Sequence, residues 1–184
     1  MKVPFSFLPE QFANPEPIFE RFREFLNRSD FTLGEDLQVF EGKYAEYCGT
    51  KHAIGVGSGT DALFLSLKAA GVLPGDEVIT APNSFIATTG AIVQAGAIPV
   101  YVDAGGDQTI DCSKIERAIT PKTKAILPVH WAGAPADMHT LCNIAAAHKL
   151  AVVEDACQAL GAKINNRPVG SFGLAAGFST HPLK

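Results

Sequence analysis

The sequence predicts a three-layer α/β/α domain built on a mostly parallel sheet. From about residue 50, short β-branched runs alternate with stretches of helical spacing. Strand candidates such as AILPV and AVVE are apolar at consecutive positions, so both faces of the sheet must be covered. Turn residues punctuate the pattern where such a fold needs them.

Taken in order, the expected strands cover residues 53–57, 77–81, 98–103, 124–129, 150–154 and 175–180. Helical spacing covers 60–70, 86–95, 113–119 and 138–148 between them. Gly71 and Pro74-Gly75 close one helix, and Asp137 is placed to N-cap another. No internal repeat or low-complexity tract interrupts the series. The first fifty residues differ: eight of the 12 Phe lie at or before Phe40. Ile18, Phe19, Phe22, Phe25 and Leu26 form one helical stripe, and a second helix, about 35–48, carries Leu37, Phe40, Tyr44 and Tyr47. Two readings stand side by side: both helices pack on the sheet, or their aromatics cover a subunit contact.

Composition narrows the function. A chain of 184 residues, 47% hydrophobic and 18% charged, can bury one α/β core. A net charge of −4 with no basic run argues against a nucleic-acid or anionic-membrane surface. No apolar stretch approaches the roughly 20 residues that span a bilayer. The N-terminal MKVPFSFLPEQF is broken by Pro4 and Pro9 and lacks a signal-like run, so a cytoplasmic location is expected. Cys48, Cys112, Cys142 and Cys157 form no C-x-x-C pair or Cys/His knuckle, which points to buried free thiols and no metal site. The chain stops directly after an expected strand, and that ending reads as a truncation.

Three stretches carry chemistry. Gly55-Val56-Gly57-Ser58-Gly59-Thr60 is a glycine turn opening a helix, which exposes N–H groups at the positive helix end as a phosphate seat. Gly59 lets the backbone approach a ligand, and Thr60 or Ser58 adds a hydroxyl. No acid closes the second strand at dinucleotide spacing and no Lys follows the turn, so neither NAD nor a P-loop nucleotide fits. Asp155 ends an apolar strand, where open α/β sheets place ligands, although a helix cap is the commoner use of such an Asp. Lys184 follows a strand behind Ser179, Thr180 and His181; singly it reads as a surface charge, His181 as a structural histidine and Phe85 as a core aromatic. Together they match what pyridoxal 5'-phosphate (PLP) requires: a phosphate cradle, an amine for its aldehyde, an anion facing its ring nitrogen and an aromatic on its ring face.

The stretches GSGTDALFLSLKAAGVLPGDEVITAPNSFIAT, GAIPVYVD, ITPKTKAILPVHWAG, VVEDACQALGA and GFSTHPLK, in this order from about Phe31 to Lys184, resemble the DegT/DnrJ/StrS sugar aminotransferases of fold type I. The resemblance implies an incomplete PLP-binding large domain over 31–184, preceded by an N-terminal arm and helix over 1–30 at a homodimer interface. It implies that Gly59, Thr60 and Ser179 bind the cofactor phosphate and that Phe85 stacks on the ring. Asp155 would pair with the ring nitrogen, Gln158 would hydrogen-bond the phenolic oxygen, and Lys184 would form the internal aldimine and shuttle the proton. The implied reaction moves an amino group from glutamate to a keto-sugar, usually nucleotide-linked, in two ping-pong half-reactions. Two other readings share the scaffold: a PLP-dependent sugar dehydratase, in which a histidine replaces the lysine, and a non-catalytic regulatory protein.

Overall fold

The computed structural model describes residues 6–184. Three helices come first: α1 (Leu8–Gln11), α2 (Glu16–Arg28) and α3 (Glu35–Cys48). The body follows as α4 (Gly59–Ala69), β1 (Glu77–Thr80), α5 (Ile86–Gln94), β2 (Ile98–Tyr101), β3 (Thr123–Leu127), α6 (Met138–His148) and β4 (Ala151–Asp155). A two-stranded hairpin, β5 (Lys163–Ile164) and β6 (Arg167–Pro168), precedes β7 (Ala175–Gly177).

Five strands pair in the order β2-β1-β3-β4-β7, every neighbour parallel. Side chains alternate across this sheet and build two cores. Val78, Ala125, Leu127 and Val153 meet Leu63, Leu67, Ala91 and Ile92 of α4 and α5 on one face. Ile79, Ile126 and Val152 meet Met138, Leu141 and Ala145 of α6 on the other. The three layers therefore stand as expected, and the continuous apolar strands have their reason in burial on both faces. Strand order reverses at β1, which has β2 on one side and β3 on the other, and such a reversal opens a crevice at the carboxyl ends of the strands. β7 lies directly beneath α4: a Cβ on Gly177 would fall 2.7 Å from Leu63 Cδ2, so only glycine permits that approach.

Several expectations change. Residues 53–57 form no strand; the Gly55 N–H donates to Glu41 Oε1 at 2.6 Å, and Ile54 is 79% exposed. A β-branched run needs a ladder partner to become a strand, and this one finds none among the described residues. The helix expected over 113–119 is two 3₁₀ turns, Cys112–Lys114 and Glu116–Ala118, because so short a segment gains little from α-helical cooperativity. Cys48 is buried, whereas Cys112, Cys142 and Cys157 are half-buried free thiols. The hairpin was not anticipated; Asn165 and Asn166 turn it with φ of 49° and 65°, a conformation asparagine tolerates.

The packing reading fails for α2, which buries no residue; Ile18, Phe19, Phe22 and Leu26 stand about half exposed. It holds in part for α3, where Ala45 and Cys48 are buried and Tyr44 meets Phe178 edge-on at 5.5 Å. Pro4 lies outside the described residues, and Pro9 sits in the first turn of α1. Among the described residues, no helix is long and apolar enough to cross a membrane.

Candidate active site

Segments leaving the carboxyl ends of β1, β3, β4 and β7 converge with the N-terminus of α4. Ser58 caps α4, its hydroxyl accepting from the Asp61 N–H at 3.1 Å and donating to Asp61 Oδ2 at 2.9 Å. Its carbonyl takes the Ala62 N–H at 2.9 Å. Ser58 is thereby committed, which removes it as the alternative ligand hydroxyl. The N–H groups of Gly59 and Thr60 have no acceptor among the described residues and point out of the positive end of the helix.

Gly59 is packed from the far side. A Cβ there would lie 2.8 Å from Cys157 Sγ and 3.2 Å from Ser179 Cβ. The helix end thus sits against the segment that carries Ser179. Ser179 Oγ accepts the His181 N–H at 3.3 Å, which leaves its own proton free to donate. His181 then shapes the last turn: its Nδ1 accepts the Leu183 N–H at 3.2 Å and its carbonyl accepts the Lys184 N–H at 2.9 Å.

Lys184 Nζ lies 5.5 Å from the centroid of the Phe85 ring, within cation–π range. Phe85 is 62% exposed, which excludes the core-aromatic reading. The same lysine lies near enough to Cys157 to oppose, slightly, the rise that burial and Asp155 impose on that thiol.

Asp155 closes β4 with its carboxylate almost fully buried. Oδ2 accepts from Thr88 Oγ1 at 2.6 Å and Oδ1 from the Cys157 N–H at 3.2 Å. A buried carboxylate survives only with such partners. One turn later, Gln158 Oε1 accepts the Ala132 N–H at 2.9 Å. That bond holds a left-handed turn (Ala132 φ 48°, Gly133 φ 87°) and fixes the amide so that Nε2 remains a donor.

Glu154, on the opposite face from Asp155, is fully buried with His130. Its Oε1 accepts the Phe172 and Gly173 N–H groups at 2.8 and 2.7 Å; Oε2 accepts the Gly170 N–H at 2.7 Å and His130 Nε2 at 3.0 Å. His130 Nδ1 accepts the Ala136 N–H, which assigns the proton to Nε2. Burial pushes the Glu154 carboxyl up, but the His130 bond and the N–H groups of Gly173 and Gly170 outweigh it and hold it below the usual range. This cluster ties the segment entering β7, and hence Ser179 and Lys184, to the end of β4.

The helix end with free N–H groups, the buried acid and the lysine over an aromatic all lie within residues 14–184, the span that a family model matches. The chain belongs to the DegT/DnrJ/EryC1/StrS aminotransferase family. The family match begins before Phe31 and takes in α2. It is 47% identical to a pleiotropic regulatory protein of Geobacillus stearothermophilus, over 100% of this chain and 50% of that one. It is 46% identical to the dTDP-3-amino-3,4,6-trideoxy-alpha-D-glucose transaminase of Streptomyces venezuelae, over 86% of this chain and 42% of that one. The fold is shared with S. venezuelae DesV, solved in complex with a ketimine intermediate: TM-score 0.88, 43% identity, 92% of this chain and 46% of that one. The chain thus spans about half the length of the curated relatives it matches.

Of the residues that line this candidate site, Thr88, Glu154 and His130 carried no site expectation from sequence, and Cys157 was expected only as a buried free thiol. Thr88 had a faint signal as one of two adjacent threonines in the mostly apolar helix IATTGAIVQ. Glu154 was signalled by its adjacency to Asp155, since neighbours on a strand face opposite sides and each needs partners of its own.

Proposed function

We propose that this chain forms the PLP-binding large domain (31–184) and interfacial arm (1–30) of a cytoplasmic, homodimeric aminotransferase. The enzyme moves an amino group from an amino acid, glutamate by expectation, to a keto-sugar carried on a nucleotide. The observation that carries the reading is the Lys184 amine 5.5 Å from the Phe85 ring, beside the turn whose Thr88 binds Asp155. The donor set suits PLP: free N–H groups at α4, a free hydroxyl proton on Ser179, an open aromatic face, a buried acid and a fixed amide donor.

In this reading Gly59 and Thr60 bind the phosphate through their N–H groups, and Ser179 donates to it. Asp155 would face the ring nitrogen, where a buried carboxylate favours a protonated partner. Gln158 donates to the phenolic oxygen, and Phe85 fixes the tilt of the ring. Lys184 would hold the cofactor at its aldehyde end and its amine would carry a proton to and from the substrate carbon. When bound, PLP supplies an electron sink for the pair left on the substrate carbon. The exposed stripe Ile18, Phe19, Phe22 and Leu26 supports a subunit contact, since large apolar side chains aligned on one helix face favour a covering partner.

The test uses the full-length protein with PLP. Lys184→Ala is expected to abolish glutamate-dependent turnover while some cofactor stays bound through its phosphate. Normal turnover in that variant, or wild-type cofactor absorbance that glutamate leaves unchanged, overturns the reading.

A further inference from the structure

Asp155 is held by a hydroxyl that does not belong to the expected site. The residue is 4% exposed, and the shortest bond to its carboxylate comes from Thr88 Oγ1, at 2.6 Å on Oδ2. Thr88 is itself fully buried on α5. A helical threonine commonly returns its proton to a carbonyl of the preceding turn; Thr88 instead directs it across to β4. Thr88 Oγ1 also lies 2.7 Å from Ser84 Oγ. Thr88 Oγ1 donates to Asp155 Oδ2 and a hydroxyl has a single proton, so Thr88 must accept from Ser84. The two hydroxyls form a polarised relay ending on Oδ2, and the Cys157 N–H at 3.2 Å on Oδ1 completes a two-point grip.

The relay begins where the aromatic face begins. Ser84 directly precedes Phe85, and the Thr88 N–H donates to the Phe85 carbonyl at 3.0 Å. One helical turn therefore fixes both the ring-facing aromatic and the acid. We propose that Thr88 is a positioning residue: with Ser84 behind it, it sets the torsion of the Asp155 carboxylate and aims its remaining lone pairs at the cofactor's ring nitrogen. This inference rests on the PLP reading above and assigns a residue that neither cofactor nor substrate need touch.

Thr88→Val keeps the shape and removes the hydroxyl, and Thr88→Ser keeps the hydroxyl and removes the methyl. In the holoenzyme, Thr88→Val is expected to weaken PLP about tenfold, the order of one hydrogen bond to a charged group. It is also expected to displace the pH titration of the bound cofactor's visible absorbance, and Thr88→Ser should restore both. Wild-type affinity and titration in Thr88→Val overturn the proposal, as does a Thr88→Ser that behaves like Thr88→Val, since that assigns the effect to packing. Should Thr88→Val fail to fold, Ser84→Ala decides: it removes only the far donor, and a titration displaced in the same direction supports the relay while an unchanged one overturns it. Wild-type protein that binds no PLP refutes the cofactor reading itself, an outcome distinct from the failure of Thr88.

Discussion

Gly59→Ala tests the cradle at its tightest point. The added Cβ would sit 2.8 Å from Cys157 Sγ, 3.2 Å from Ser179 Cβ and 3.5 Å from the Phe178 carbonyl oxygen. Ordinary contacts between such atoms are about 3.5–4.0 Å, so the start of α4 and the Cys157 thiol must separate by about 1 Å. Overpacking of that kind costs about 1–3 kcal/mol of stability. Moving the helix end would also withdraw the Gly59 and Thr60 N–H groups from the phosphate they are proposed to bind, and the loss of one charge-assisted bond is expected to lower PLP affinity about tenfold. Cys157→Ala removes the closest obstacle and leaves the one at Ser179. The double variant is therefore expected to recover part of both losses, with a coupling of about 1 kcal/mol in a double-mutant cycle. Thermal unfolding of the apo proteins and fluorescence titration with PLP measure the two effects. Strict additivity of the two substitutions, or Gly59→Ala with wild-type affinity, would refute the steric reasoning.

Two further substitutions separate support from chemistry. Glu154→Gln leaves one side of the buried carboxyl site without an acceptor for its donors and is expected to cost about 3 kcal/mol in urea unfolding. The pH profile carries the sign: the folded carboxyl lies below its ordinary value of 4.5, so its contribution is full above that pH and is lost as pH falls through the folded value. The variant should lose that acid limb, and an unchanged limb assigns it to other groups. Gln158→Glu keeps the acceptor for the Ala132 N–H but has no amide donor. Apo stability near wild type with PLP weakened about tenfold is expected; unchanged affinity would remove Gln158 from the cofactor's partners.

Much of the architecture was legible in the chain. The edges of α3 and α6 and the Asp137 cap follow from periodicity and one side-chain oxygen, which are local properties. Residues 53–57 were not legible as coil, because whether a β-branched run pairs depends on a neighbour remote in sequence. The exposure of α2 was equally hidden: an aromatic stripe looks alike whether it faces a sheet or a partner. Thr88 escaped notice because its meaning is a bond to a carboxylate 67 residues away.

Sequence by itself determined a parallel α/β body, the helix-opening glycine turn, and the acid, amide and lysine that resemble a cofactor site. Those features are written in patterns of a few adjacent residues, and local geometry follows from them directly. Only the tertiary structure decided that Lys184 faces Phe85, that Ser58 is spent on its own cap, and that Ser84 and Thr88 grip Asp155. The Ser58 cap is a local contact with Asp61 that side-chain geometry had to settle; the other two join segments brought together by pairing strands, and the energy of such contacts depends on distances that chain order does not contain.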